Sequence, residues 1–463
     1  MTYRPEQLPR RLPQRAMWFM FPCGHAHVLS NAPGMRSKPD LKLYRRPDES
    51  QLMENRMSRA RYLGVMLLAF ASIAAGAEDT FTPRLQTPRV APLTKAQRTP
   101  AQQELLASRP DYNVYKTLAH HVDLYSRWSP LGRFVMTESS LPPRDREIVM
   151  LRMGWLCQSD YEWAQHAPIA KAQAGLTPED IHRIAEGPDA AGWSGFDRIL
   201  LRMVDELRYD AMISDATWQP LSTRYSVQQM IEVMYTASQY QLVSMALNSL
   251  GVQLDPGLED RFPKDVALPA LATMPKSPRL EQPRVPALHP KDWTPEQRKL
   301  VASHTDTSQP VLNLYATMLN HPGMYAARLK FGSYLQRDSL LPAKTRELVI
   351  MRTAWLTRTE YEWGHHVESA QKAGWSDAEI QRIAAGPDAQ GWSEEHAAVL
   401  RAVDELRREA FISDRTWKTL AKHYDTKKLI EIIFTSGGYT MTALAINSLG
   451  VQLEPGYPSI PQQ

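Results

Sequence analysis

The stretch that decides the fold is residues 146–166, REIVMLRMGWLCQSDYEWAQH, which returns 200 positions later as residues 346–366, RELVIMRTAWLTRTEYEWGHH. Working outward, Asn113-Val114-Tyr115 meets Asn313-Leu314-Tyr315 at the same offset. One residue is lost after His366, so Gly187-Pro188-Asp189 meets Gly386-Pro387-Asp388, and Asn248-Ser249-Leu250-Gly251-Val252 meets Asn447-Ser448-Leu449-Gly450-Val451, at an offset of 199. Upstream, Thr99-Pro100 matches Thr294-Pro295 at an offset of 195. The chain therefore reads as a duplication, with units at 84–257 and 279–456 joined by a proline-containing linker at 258–278. A period this long indicates repeated domains and not a solenoid.

Within each unit the punctuation is helical. Thr99-Pro100 and Thr177-Pro178 place a capping oxygen before a proline at the first helical position, and Ser376-Asp377-Ala378-Glu379 is a capping box. Ile199, Leu200, Met203, Val204 and Leu207, with their counterparts Val399, Leu400, Val403 and Leu406, recur at three- and four-residue steps. Strict alternation is scarce, so the fold is expected to be all-α, with six or more helices in each unit. The last helix of each unit, Met230 to Leu250 and Leu429 to Leu449, is apolar nearly all round and demands cover on every side. Packing between units or between chains would supply it, and a homo-oligomer, a dimer or trimer, is the expectation.

The N-terminus follows a different grammar. Residues 1–56 are rich in Pro and Arg without helical or strand period and read as disordered, or as a mis-called extension upstream of a true start at Met57. Ser58-Arg59-Ala60-Arg61, the apolar run Tyr62 to Ala75 and the small-residue exit Ala75-Gly76-Ala77 make 57–77 a secretory signal peptide. The run is shorter than the roughly 20 residues a permanent membrane anchor needs. The expected location is periplasmic or secreted. Of 54 basic and 50 acidic residues, 12 and 5 lie in 1–77, which leaves 42 and 45 in the processed chain. That balance gives no basic face for nucleic acid. Only Cys23 and Cys157 exist, so processing leaves one thiol and no intrachain disulfide.

Each unit also carries an acid–histidine set: Glu147, Glu162 and His166, then Glu347, Glu362 and His366. Residues four apart share a helix face, so Glu162 can meet His166 and raise its pKa, as Glu362 can for His366. Such a pair also stabilises an ordinary helix by roughly 0.2–0.5 kcal/mol. Glu147 and Glu347 lie on the preceding helix and approach if the two helices fold back at Gln158-Ser159-Asp160 and its counterpart. Trp163, Trp363, Trp193 and Trp392 read as core anchors. His365-His366 with Glu362 has metal-ligand residue types, but Gln165 stands where the second copy has His365, and no metal is expected.

An Arg-Glu-led helix, a break, then a helix whose His is followed eight or nine residues later by Gly resembles the core of the carboxymuconolactone decarboxylase / alkylhydroperoxidase D family. The resemblance spans both units. It implies two tandem alkylhydroperoxidase D-like helical domains that oligomerise. In the family's peroxidase branch a Cys-x-x-Cys precedes the His and a Glu on the first helix relays protons. Here the relay positions fall on Glu147 and Glu347, and the cysteine positions on Ser159 and Glu162, and on Thr359 and Glu362. A dithiol cycle has no second sulfur to use, and Cys157 is expected to be a buried, inert thiol. What remains is similar to the decarboxylase side, which works without metal or organic cofactor. The resemblance thus implies a cofactor-independent lyase acting on a small carboxylated lactone or unsaturated acid, with an antioxidant peroxidase or a non-catalytic small-molecule binder as alternatives. His166 and His366 would move the proton, Glu162 and Glu362 would orient and charge them, and Glu147 and Glu347 would exchange protons. Arg146, Arg346, Arg152 and Arg352 are the candidates for holding a substrate carboxylate.

Overall fold

The computed structural model describes residues 84–304 and 310–461. The extension and signal-peptide readings at 1–77, and Cys23, lie outside the described residues. The first half runs α1 (Pro100–Leu106), α2 (Asn113–Leu118), α3 (Val122–Arg133), α4 (Pro143–Leu156), α5 (Asp160–Gln173), α6 (Pro178–Glu186), α7 (Gly195–Asp210), α8 (Asp215–Arg224) and α9 (Val227–Leu250). The second repeats the series as α10 (Pro295–Ala302), α11 (Asn313–Met318), α12 (Pro322–Ser333), α13 (Ala343–Thr357), α14 (Glu360–Lys372), α15 (Asp377–Ala385), α16 (Glu394–Glu409), α17 (Asp414–Leu420) and α18 (Thr426–Leu449). The fold is all-α, and no strand occurs among the described residues.

The helices begin where the capping signals stand. Thr99, Thr177, Thr294 and Ser376 each close a capping box around the first turn, an arrangement whose side-chain cap contributes about 1 kcal/mol. Helices α4 and α13 stop where Gln158 and Arg358 turn left-handed, at φ 51° each. That reversal lays α5 back on α4 and α14 back on α13, as the proximity of Glu147 to His166 requires.

At the centre α9 packs against α18, and both are buried along nearly their whole length. The cover their apolar surface demands is thus supplied within one chain and needs no second copy. Among the described residues α18 alone is long and apolar enough to cross a membrane, and it lies wholly inside the core.

Polar groups cross between the halves in pairs. His121 Nε2 lies 2.8 Å from Glu431 Oε1, and His321 Nε2 lies 2.8 Å from Glu232 Oε1. Asn248 Nδ2 donates to the carbonyls of Cys157 and Ala410, while Asn447 Nδ2 donates to those of Thr357 and Ala211. The repeated Asn-Ser-Leu-Gly-Val motif is therefore a clasp. The linker is bound too: Ala272 N–H donates to Arg408 O at 3.1 Å, and Phe262 packs on Trp155 and Trp163 with centroids 4.8 and 5.3 Å away.

Close approach of the two central helices depends on Gly437. A Cβ there would stand 2.7 Å from Leu242 Cγ and 3.1 Å from Leu242 Cβ, atoms too near the backbone to swing aside. Gly437→Ala is expected to destabilise the protein by about 1–3 kcal/mol, the usual cost of overpacking. Denaturant unfolding checks this. Added to Leu242→Ala, the same change should cost clearly less than alone, and strict additivity would contradict the contact.

Candidate functional site

Two acid–histidine centres form where the second of two folded-back helices meets the central pair. In the first half, His166 Nδ1 lies 2.8 Å from Glu147 Oε2. Its Nε2 lies 2.8 Å from the Tyr240 hydroxyl on α9, and the two rings meet edge to face at 4.8 Å. Glu162 Oε2 stands 3.7 Å from Nε2, within ion-pair range but beyond a hydrogen bond. In the second half, His366 Nδ1 lies 2.8 Å from Glu347 Oε2, and Tyr439 meets the ring edge-on at 5.1 Å. No ion pair joins Glu362 to His366 among the described residues.

The expected division of labour is thereby corrected. Glu147 and Glu347, not the carboxylates one turn away on the same helix, hold and orient the imidazoles. The helical pitch brings Glu162 within 3.7 Å of His166, too far for a hydrogen bond, while both oxygens of Glu362 are buried without a donor. Their placement has a different consequence. Burial pushes the Glu162 carboxyl up to about 7, with Glu147 adding to the shift and His166 opposing it. Burial also drives Glu362 well above the usual carboxylate range, with Arg328 opposing. Each is a carboxylic acid able to keep its proton near neutrality. His166 is disfavoured as a cation by burial, but the Glu147 charge and hydrogen bond, with Glu162, outweigh this and raise its pKa.

Two of the four candidate arginines leave the site. Arg152 binds both oxygens of Asp205 at 2.7 and 2.9 Å and donates to the carbonyls of Ile184 and Ala185 at 2.8 Å. Arg352 does the same with Asp404, Ile383 and Ala384. Each guanidinium lies under a glycine, Gly187 at φ 109° and Gly386 at φ 93°, where a Cβ would stand 2.8 Å from it. Both arginines are clamps on helix ends, each with four of its five N–H donors engaged. Arg346 stays near the chemistry, its Nε 3.4 Å from Glu347 Oε1. Arg146, its counterpart beside Glu147, has a buried Nε without a partner.

The centres differ in access. Around His366 opens a cavity of about 520 Å³, lined among others by Arg328, Arg346, Glu347, Glu362, His366 and Tyr439. The first-half counterparts of part of that wall, Val114, Trp128 and Val243, line an apolar crevice with no room for a water molecule.

His365 turns to Glu454, with Nε2 2.6 Å from Oε2, while Gln165 takes the matching Asp255. The Gln/His difference is thus absorbed by a paired change in the wall. Cys157 is buried, with Met153 Sδ 3.8 Å from its Sγ, and burial raises its pKa. Trp163 and Trp363 are core residues, at 2% and 1% exposure. Tyr240, Tyr439 and Arg328 were not anticipated. The tyrosines were marked by recurring at the 199 offset inside an otherwise apolar helix, whereas Arg328 shows only as a break in the repeat, where the first copy has Trp128.

Segments 123–200 and 322–405 each match the sequence profile of the Carboxymuconolactone decarboxylase family, one in either half. Both halves are thus similar to that family, in a tandem, all-α chain without the Cys-x-x-Cys motif. Among solved structures it is similar to a protein of unknown function from Agrobacterium tumefaciens, described as a candidate antioxidant defence protein AhpD. That match has 17% identity, covers 30% of this chain and 94% of that one, and has a TM-score of 0.28, which carries no argument about activity. No curated protein matches the chain.

The raised pKa of Glu162 has a sign that stability can report. Between about 4.5, its ordinary value, and about 7, the folded protein keeps a proton that the unfolded chain has released. Stability therefore falls as pH rises through that window and is level with respect to this group above it. Glu162→Gln is expected to raise the thermal midpoint at pH 8 and to change it little at pH 4.5, measured by scanning calorimetry. An equal gain at both pH values would show that this carboxyl ionises normally.

Proposed function

We propose that the protein is a carboxymuconolactone decarboxylase-like, cofactor-independent lyase that decarboxylates, or performs related proton-transfer chemistry on, a small carboxylated lactone or unsaturated acid. The observation that carries the reading is the His366–Glu347 pair opening onto a cavity, with no thiol at either position where a dithiol peroxidase needs one. Glu347 accepts a hydrogen bond from Nδ1–H of His366 and fixes the ring, so Nε2 is the atom that delivers or removes a proton. In a decarboxylation the bond from the substrate carbon to its carboxylate breaks. The electron pair passes into the conjugated carbonyl as an enolate, and CO2 leaves. A proton from Nε2 then closes the step at carbon, while Glu362, holding its proton, donates a hydrogen bond to the developing oxyanion.

Two further readings accompany this one. Export to the periplasm or medium rests on the signal-like grammar of 57–77, and N-terminal sequencing of the processed protein should begin close to Glu78. A homo-oligomer rests on family habit alone, because the apolar central helices are already covered within the chain.

Turnover of a panel of small unsaturated and lactone acids tests the chemistry. His366→Gln is expected to lower kcat by about 10²–10⁴-fold, the range for loss of a general acid/base, with the circular dichroism spectrum unchanged. Full turnover by that variant would contradict the assignment.

A further inference from the structure

We infer that the second half alone forms the ligand-binding centre of the chain, and that Arg328 on α12 is the residue that recognises the anionic group of the ligand. The inference rests on the acid/base reading of the same cavity and goes beyond it by dividing the two halves by role.

Three differences separate the centres. The first is at positions 128 and 328. Trp128 donates its indole N–H to Gln239 Oε1 at 3.2 Å and meets Phe434 edge to face at 5.3 Å, filling its site. In the second half the partner of Gln239 is Gly438, which has no side chain, and an arginine replaces the indole. The space released is part of the cavity, whose wall includes Arg328, Gly438 and Thr442.

The second is the state of the imidazole. His166 is satisfied at both nitrogens, by Glu147 and Tyr240. His366 is held only at Nδ1, and among the described residues its Nε2 has no hydrogen-bond partner. One ring is sealed and the other is ready for a ligand.

The third is charge. The cavity is lined by four cationic side chains, Arg328, Arg337, Arg346 and Lys372, against the two carboxylates Glu347 and Glu362. Arg346 faces Glu347, Lys372 faces Glu368 and the exposed Arg337 donates to the His304 carbonyl, whereas the half-buried Arg328 forms no ion pair among the described residues. Its side chain donates only to the Thr442 hydroxyl. The Glu362 carboxylate would favour its charge, but burial drives that carboxyl to keep its proton. A partly buried guanidinium without a counter-charge is costly, and a carboxylate bound across its fork offsets that cost through two parallel N–H···O bonds. Trp128 offers the first half no such group, so that centre serves the fold.

Calorimetric titration of the intact protein with 2-furoate, a stable ring carboxylate, tests this, with methyl 2-furoate as the uncharged control. The expected result is one furoate per chain and no binding of the ester. Arg328→Met should weaken furoate binding by about 10- to 100-fold, as loss of a charged hydrogen-bond donor does, while Arg328→Lys should retain part of the affinity. Two furoates per chain, equal binding of the ester, full affinity in Arg328→Met, or no binding of furoate at millimolar concentration would each overturn the inference. Arg328-dependent binding at one per chain, found together with full turnover by His366→Gln, would leave this inference standing while removing the catalytic role of His366.

Discussion

Everything in the molecule is hung on the contact between α9 and α18, two long apolar helices that bury one another. Their burial removes both from water and forces each polar residue they carry to find a partner inside. Glu431 shows how. Burial opposes its ionisation, but hydrogen bonds from His121, Ser339 and Tyr334 outweigh that and hold its carboxyl at about 2. Those donors come from both halves, so the contact fixes the register of one repeat on the other. Glu232 repeats the arrangement with His321 and Ser139. Arg208 and Arg407 exchange contacts with each other's backbone carbonyls.

The same two helices set the chemistry. Tyr240 and Tyr439 sit in matching places, facing His166 and His366, and the neighbouring residue decides what each centre becomes. Gln239 satisfies Trp128 and closes the first. Gly438 leaves a gap that Arg328 and the cavity occupy. Duplication let one copy keep an inward-facing acid–histidine pair as part of the core while the other kept it facing a cavity.

Much of this was legible in the sequence, because the signals were local or repeated. The capping boxes at Thr99, Thr177 and Ser376 fixed helix starts, the 200- and 199-residue offsets revealed the duplication, and the recurring Glu147/Glu347 and His166/His366 located both centres. The helical spacing of Glu162 and His166 was read correctly as shared position but wrongly as the main partnership. A contact across helices, from Glu147, wins because its geometry allows a 2.8 Å hydrogen bond. Arg152 and Arg352 were misread for a related reason: sequence shows a cation near the site but not Asp205 and Asp404, some fifty residues on, that claim it. The covering of α9 by α18 could not be separated from covering by a second chain, since an apolar helix does not name its neighbour.

The central claim is that His366, and not His166, exchanges protons with a ligand. Nitrogen-15 NMR of the histidine rings, with furoate added to the folded protein, reads this directly. The account predicts that the His366 Nε2 resonance moves while both nitrogens of His166 stay in place. Equal movement of the two rings, or movement of His166 alone, would contradict it.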